Sequence, residues 1–138
     1  NNATSGYYMV RVVCFSCEGT NSSNHRYRLE LVDKQGPYDS VLTSVDLEPS
    51  EFSFLAGEDY TLKAIVTDDV LIGKFWKSSE LEPSDDPADT PKPADPPDPA
   101  RNGRTIETSN SSYSQGKIGL ASNASKNTFD NLVVKPLS

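Results

Sequence analysis

The segment RYRLELV, residues 26–32, decides how this chain folds. Tyr27, Leu29 and Leu31 alternate with Arg26, Arg28 and Glu30, so an extended backbone turns one side apolar and the other charged. A helix would scatter the same side chains around its circumference. Period two is the pattern of a half-buried antiparallel strand. The neighbouring segments follow suit. YYMVRVV (7–13) is dense in β-branched and aromatic residues, and YDSVLTSVDL (38–47) follows a Gly36-Pro37 turn. YTLKAIV (60–66) sends Tyr60, Leu62, Ala64 and Val66 inward, and Asp68-Asp69 offers a short hairpin turn into VLIGKFW (70–76). GKIGLAS (116–122) and TFDNLVVKPL (128–137) read as two closing strands. No segment holds a 3.6-residue period over three turns, so we expect about seven strands, essentially no helix and an all-β, antiparallel β-sandwich.

A chain of 138 residues suits a single domain spanning 1–138. Only 35% of residues are hydrophobic, while Ser plus Thr number 27, which implies a thin core under a polar surface. The net charge of −7 and the lack of a basic stripe argue against nucleic acid as a partner. No apolar run approaches the roughly 18 residues that a membrane helix needs, so no membrane insertion is expected. Without a Met at its start, the chain reads as a mature or excised segment.

Two longer stretches carry a resemblance. EDYTLKAIVTDDVLIGKFWKSSELEP and GKIGLASNASKNTFDNLVVKPL resemble the C-terminal half of the concanavalin-A-like lectin/glucanase superfamily, the laminin-G-like jelly rolls. GYYMVRVV and HRYRLELVDK fit that fold's middle strands, so the resemblance covers about three quarters of the chain. It implies a jelly roll, but the fold is shared by lectins, glucanases and adhesion modules and does not set activity. Such jelly rolls supply further strands before the position of Gly6, where this sequence has five residues. The expectation is a sandwich with an unpaired edge, completed by a longer parent protein or by a strand from another copy.

The resemblance also implies sites to look for. Family glycosidases carry alternate acids in an E-x-D-x-E strand. The nearest run here, Ser44-Val45-Asp46-Leu47-Glu48, has Ser where the first Glu should stand and is followed by Pro49, so catalysis is not expected. Asp130 in TFDNL matches a position that binds structural Ca²⁺ in many members; a plain turn Asp is the simpler reading, and no cofactor is expected.

Other residues are read from their own chemistry. Cys14-Phe15-Ser16-Cys17 has no second cysteine pair and His25 is the only histidine, which leaves zinc short of ligands. A local Cys14–Cys17 disulfide, formed if Phe15-Ser16 turns, is favoured over two free buried thiols and points to an oxidising compartment. Four N-x-S/T sequons, at Asn2, Asn21, Asn110 and Asn123, fall in expected loops or termini and are candidate glycan sites, as is Thr90 in the Pro-rich insert. Trp76, Tyr38 and Tyr113 are the aromatics that could stack on sugar rings; for Trp76, core packing competes with that role.

Between the expected strands lies EPSDDPADTPKPADPPDPAR, residues 82–101, with seven prolines and five aspartates. It can neither join a ladder nor nucleate a helix. The insert (83–101) is expected to run as an extended polyproline-II-like arm, reaching on the order of 50 Å at about 3.1 Å per residue. So polar a segment is ordered only when pinned. Together these readings favour a non-catalytic extracellular or cell-surface structural or adhesive glycoprotein. It would self-associate into a homo-oligomer or filament through strand and arm contacts. The alternative is a carbohydrate-binding module of a larger secreted or surface protein.

Overall fold

The computed structural model describes residues 6–17, 25–47, 57–88 and 103–112. Within them the chain is all β, with six strands: β1 (Gly6–Ser16), β2 (Arg26–Gln35), β3 (Tyr38–Leu47), β4 (Tyr60–Thr67), β5 (Val70–Lys77) and β6 (Gly103–Ser109). They form two three-stranded antiparallel sheets, ordered β1-β2-β3 and β4-β5-β6. The sheets stack as a β-sandwich, with β2 against β5 and β6, β1 against β4 and β3 against β6. Each sheet is a simple meander, so the strand order expected of a jelly roll is not found among the described residues. Both expected C-terminal strands, at 116–122 and 128–137, lie outside those residues.

Turn chemistry sets the registers. Gly36 takes φ 61° ahead of Pro37, and Gln35 pairs with Tyr38, an order that fits a two-residue II′ loop. Asp68 adopts φ 52° between the paired Thr67 and Val70. Aspartate tolerates this left-handed region because its short side chain can bond to nearby backbone.

The apolar sides of both sheets meet in one cluster: Leu29, Leu31 and Leu47 from the first, Leu71, Phe75 and Ile106 from the second. Tyr8, Val10, Val12, Tyr27, Leu42, Val45 and Tyr60 pack around it, and Tyr60 stacks on Phe75 with centroids 5.6 Å apart. Each fully buried Leu contributes about 1.5–3 kcal/mol relative to its exposed state. At the centre Gly73 faces the first sheet at short range. A Cβ built there would lie 2.8 Å from Val10 Cγ2 and 3.4 Å from both Leu31 Cδ2 and Ile106 Cγ1. Only a residue without a side chain lets β5 approach β1, β2 and β6 together.

Two expectations need correction. β6 was not foreseen, yet Ile106 is buried and pairs with Gly73. On β4, Leu62 and Val66 do share the inward side, since they pair with Phe75 and Leu71, but they remain 43% and 47% exposed. β4 is an edge strand among the described residues, and its main contact with the other sheet there is β1.

Gly73→Ala should lower stability by about 1–3 kcal/mol, because the new methyl would press on Val10 Cγ2, a short, β-branched and stiff side chain that has to shift. Denaturant unfolding measures this. An unchanged midpoint would contradict the close approach.

Candidate functional site: the arm root and the sandwich surface

Register places Lys63, Lys74 and Thr105 in one row across β4, β5 and β6, on the side of the second sheet turned away from the first. Two lysines directly opposite on paired strands repel each other. The chain resolves this by doubling back after β5. Glu80 N–H donates to Lys77 O at 2.9 Å, closing the turn, and the segment that follows crosses the lysine row. Glu82 Oε1 then accepts from Lys63 Nζ at 2.6 Å and from Lys74 Nζ at 2.9 Å, so one carboxylate bridges the opposed pair. Lys74 also donates to Pro83 O at 2.8 Å and pairs with Asp85, while Thr105 Oγ1 donates to Ser84 O at 2.7 Å. Lys74 and Thr105 are buried beneath this strap. Two side-chain turns continue it: Asp86 N–H donates to Ser84 Oγ at 3.1 Å, and Ala88 N–H to Asp86 Oδ1 at 2.8 Å.

The root of the Pro-rich insert is therefore held by the sandwich itself, through a buried ammonium. Residues 89–102, with Thr90, lie outside the described residues.

Electrostatics follow the burial. Desolvation pushes the Lys74 ammonium down, but hydrogen bonds to Asp85 and Glu82 outweigh it and hold the group above the ordinary lysine value. Desolvation pushes the Glu82 carboxyl up, and the bonds from Lys63 and Lys74 bring it below the ordinary value. Glu82's contribution is thus present above the usual carboxylate range and lost as pH falls through its depressed value. That of Lys74 is present below the usual lysine range and lost as pH rises through its raised one.

Trp76 lies two residues from Lys74, on the same outer side. It is 7% exposed, and Gly103 and Pro83 crowd the spot: a Cβ on Gly103 would meet Trp76 Cβ at 2.8 Å and Pro83 Cγ at 3.2 Å. Core packing, the competing reading, describes its surroundings better than an open platform does, although the packing is against the strap side and not between the sheets. Tyr38 is 76% exposed beside the Gly36-Pro37 turn. Tyr113 lies outside the described residues.

The outer side of the first sheet carries cross-strand ion pairs. Arg28 Nε bonds Asp46 Oδ1 at 2.7 Å, and its guanidinium sits 4.3 Å from the Phe15 ring centroid. Arg11 bonds Glu30 at 2.7 Å and reaches past the Met9–Val32–Val41 row to Asp39 at 2.8 Å; Asp39 also pairs with Lys34. Hydrogen bonds from Lys34 and then Arg11 lower the Asp39 carboxyl. Burial lowers the Arg11 guanidinium, while its bonds to Asp39 and Glu30 leave it raised. Glu30, expected on a solvated side, is buried under Arg11. Asp46, from the weakened acid run, is tied to Arg28, and Glu48 lies outside the described residues.

Cys14 and Cys17 stand at disulfide distance with Cα atoms 5.9 Å apart. The strand achieves this with a bulge between Cys14 and Ser16, where a turn was expected; the extra residue is Phe15. Among the sequons, Asn110 is described, and Asn2, Asn21 and Asn123 are not. Asp130 is also outside. Among the described residues, no group of three or more His, Cys, Asp or Glu side chains is placed to hold a metal ion.

Comparison with protein-family models, with curated proteins and with solved structures gave no match. The concanavalin-A-like resemblance therefore rests on the quoted motifs alone, whereas the β-sandwich stands on its own geometry.

Trp76 is the chain's single tryptophan, which makes its fluorescence a reporter of the strap. Acidification through the carboxylate range should expose Trp76 to quenchers and shift its emission to the red before far-ultraviolet dichroism changes. Glu82→Ala should give the same loosening at neutral pH and cost about 1–2 kcal/mol, a figure reduced because Glu82 is 40% exposed. Emission that stays blue until the sheets melt would contradict the clasp.

Proposed function

We propose that the chain is a non-catalytic, extracellular structural or adhesive subunit, bearing glycans on its loops, whose sandwich is completed by a second copy. The observation that carries this reading is the open inner side of β4. Leu62 and Val66 face the core direction yet remain nearly half exposed on a strand that is an edge among the described residues. Free edges and uncovered apolar side chains favour pairing with another strand. The arm fits the same design. The clasp at Lys74 gives it a rigid root at the sandwich surface, and an extended Pro-rich segment leaving that root could brace a neighbouring copy. Head-to-tail repetition of such contacts builds a filament, and two-fold repetition a closed oligomer.

The alternative, a carbohydrate-binding module, draws its support from Tyr38, whose exposed ring has the flat apolar face that sugar stacking uses. Retardation on polysaccharide columns, lost in Tyr38→Ala, would favour it.

Light scattering after size exclusion should find oligomers of the full chain, and Leu62→Lys with Val66→Lys should return monomers that keep their dichroism spectrum. A wild-type chain that is monomeric at every concentration would sink the assembly reading.

A further inference from the structure

Of the four sequons, the one at Asn110 lies within the described residues, where its geometry can be followed. Asn110 follows the last residue of β6, where its backbone N–H donates to Asp69 O at 2.7 Å and fixes it beside the β4–β5 turn. Its side-chain oxygen takes two donors: the Ser112 backbone N–H at 2.9 Å, which closes an Asx-turn, and the Tyr8 hydroxyl at 2.6 Å. Tyr8 belongs to β1, so this contact also ties the first sheet to the end of the second. The two faces of the amide are thereby distinguished. Oδ1 is taken up by Tyr8 and Ser112, which leaves Nδ2, on the same carbon, as the amide's donor end. Asn110 itself is half-buried, and the adjoining Ser111 and Ser112 are exposed.

We propose that Asn110 carries an N-linked glycan, attached from a polyprenyl-diphosphate oligosaccharide donor. The Nδ2–C1 bond forms as the C1–O bond to the diphosphate breaks; the polyprenyl diphosphate leaves with the bond's electron pair, and Nδ2 loses one proton. No oxidant or reductant is involved. The finished amide keeps its oxygen, so the bonds from Tyr8 and Ser112 survive modification and the glycan leaves the sandwich without displacing a packed group. The Ser112 hydroxyl supplies the third position that this chemistry requires. The proposal rests on the extracellular reading above, because the donor is met only along a secretory route.

The test is site occupancy. The full chain, secreted from glycosylating eukaryotic cells, is treated with peptide N-glycosidase in heavy-oxygen water and its peptides are sequenced by mass spectrometry. Heavy-oxygen aspartate is expected at position 110. Asn110→Gln and, separately, Ser112→Ala should each remove one glycan from the intact mass, the latter while leaving the Asn110 side chain in place. Unmodified Asn110 in secreted chains, whether or not another sequon is occupied, overturns the proposal. Occupancy is read on denatured peptides, so a monomeric result in light scattering leaves it standing. Material from the native source separates the remaining case: modification of the secreted chain but not of native protein overturns the proposal through the extracellular reading it rests on, and not through the geometry of the site.

Discussion

Everything in this molecule depends on two narrow sheets meeting over a glycine. With three strands each among the described residues, the sheets have one central strand apiece, β2 and β5, and it is there that Leu29, Leu31, Leu71 and Phe75 are sealed. Gly73 permits the contact by presenting no side chain to Val10, Leu31 and Ile106. Width is the penalty. Side chains on a flanking strand have a neighbour on one side only, so Leu62 and Val66 of β4 point toward the core and still meet water. The described sandwich buries its middle and leaves Leu62 and Val66 at its margin half exposed, which is the feature the proposed assembly starts from.

The outer sides are organised by charge. On the first sheet, opposite charges fall on neighbouring strands and pair across the ladder: Arg11 with Glu30, Arg28 with Asp46, Lys34 with Asp39. On the second sheet the pattern is inverted, because Lys63 and Lys74 are direct partners and each needs an anion from elsewhere. The strap supplies it. Glu82 and Asp85 come from the residues that begin the Pro-rich insert, so the charge defect in the sheet and the anchoring of the arm are one interaction. Removing the strap acids would leave a buried ammonium and a like-charge pair, which is a reason for this segment to lie down instead of joining the solvent.

Much of the fold was legible because it follows from local rules. The alternation in residues 26–32, the Gly36-Pro37 turn and the Asp68-Asp69 turn are all where the pattern places them, and β3 runs over Tyr38–Leu47 as expected. β6 was missed since Ile106 is its one large apolar residue, and a single inward side chain gives no period; the β-branched Thr105 and Ile106 were the available signal. The burial of Lys74 was invisible for a different reason, and for Trp76, where core packing was weighed, the covering partner was. Register puts both on the outer side of the second sheet, and the segment returning after β5 covers them. For the site, composition and spacing singled out Cys14, Cys17, Tyr38 and Asn110, but neither could show that Tyr8 fixes the orientation of Asn110 or that a bulge at Phe15 brings the cysteines together.

Hydrogen exchange along β4 probes the margin most directly. The β4 amides that do not face β5 have no ladder partner among the described residues. If another copy completes the sandwich, those amides in residues 60–67 should become protected as protein concentration rises, in step with oligomer formation, while β2 amides stay protected throughout. Exchange at those β4 amides that is fast and independent of concentration, in a chain whose β2 core remains protected, would contradict the claim that the sandwich is finished from outside.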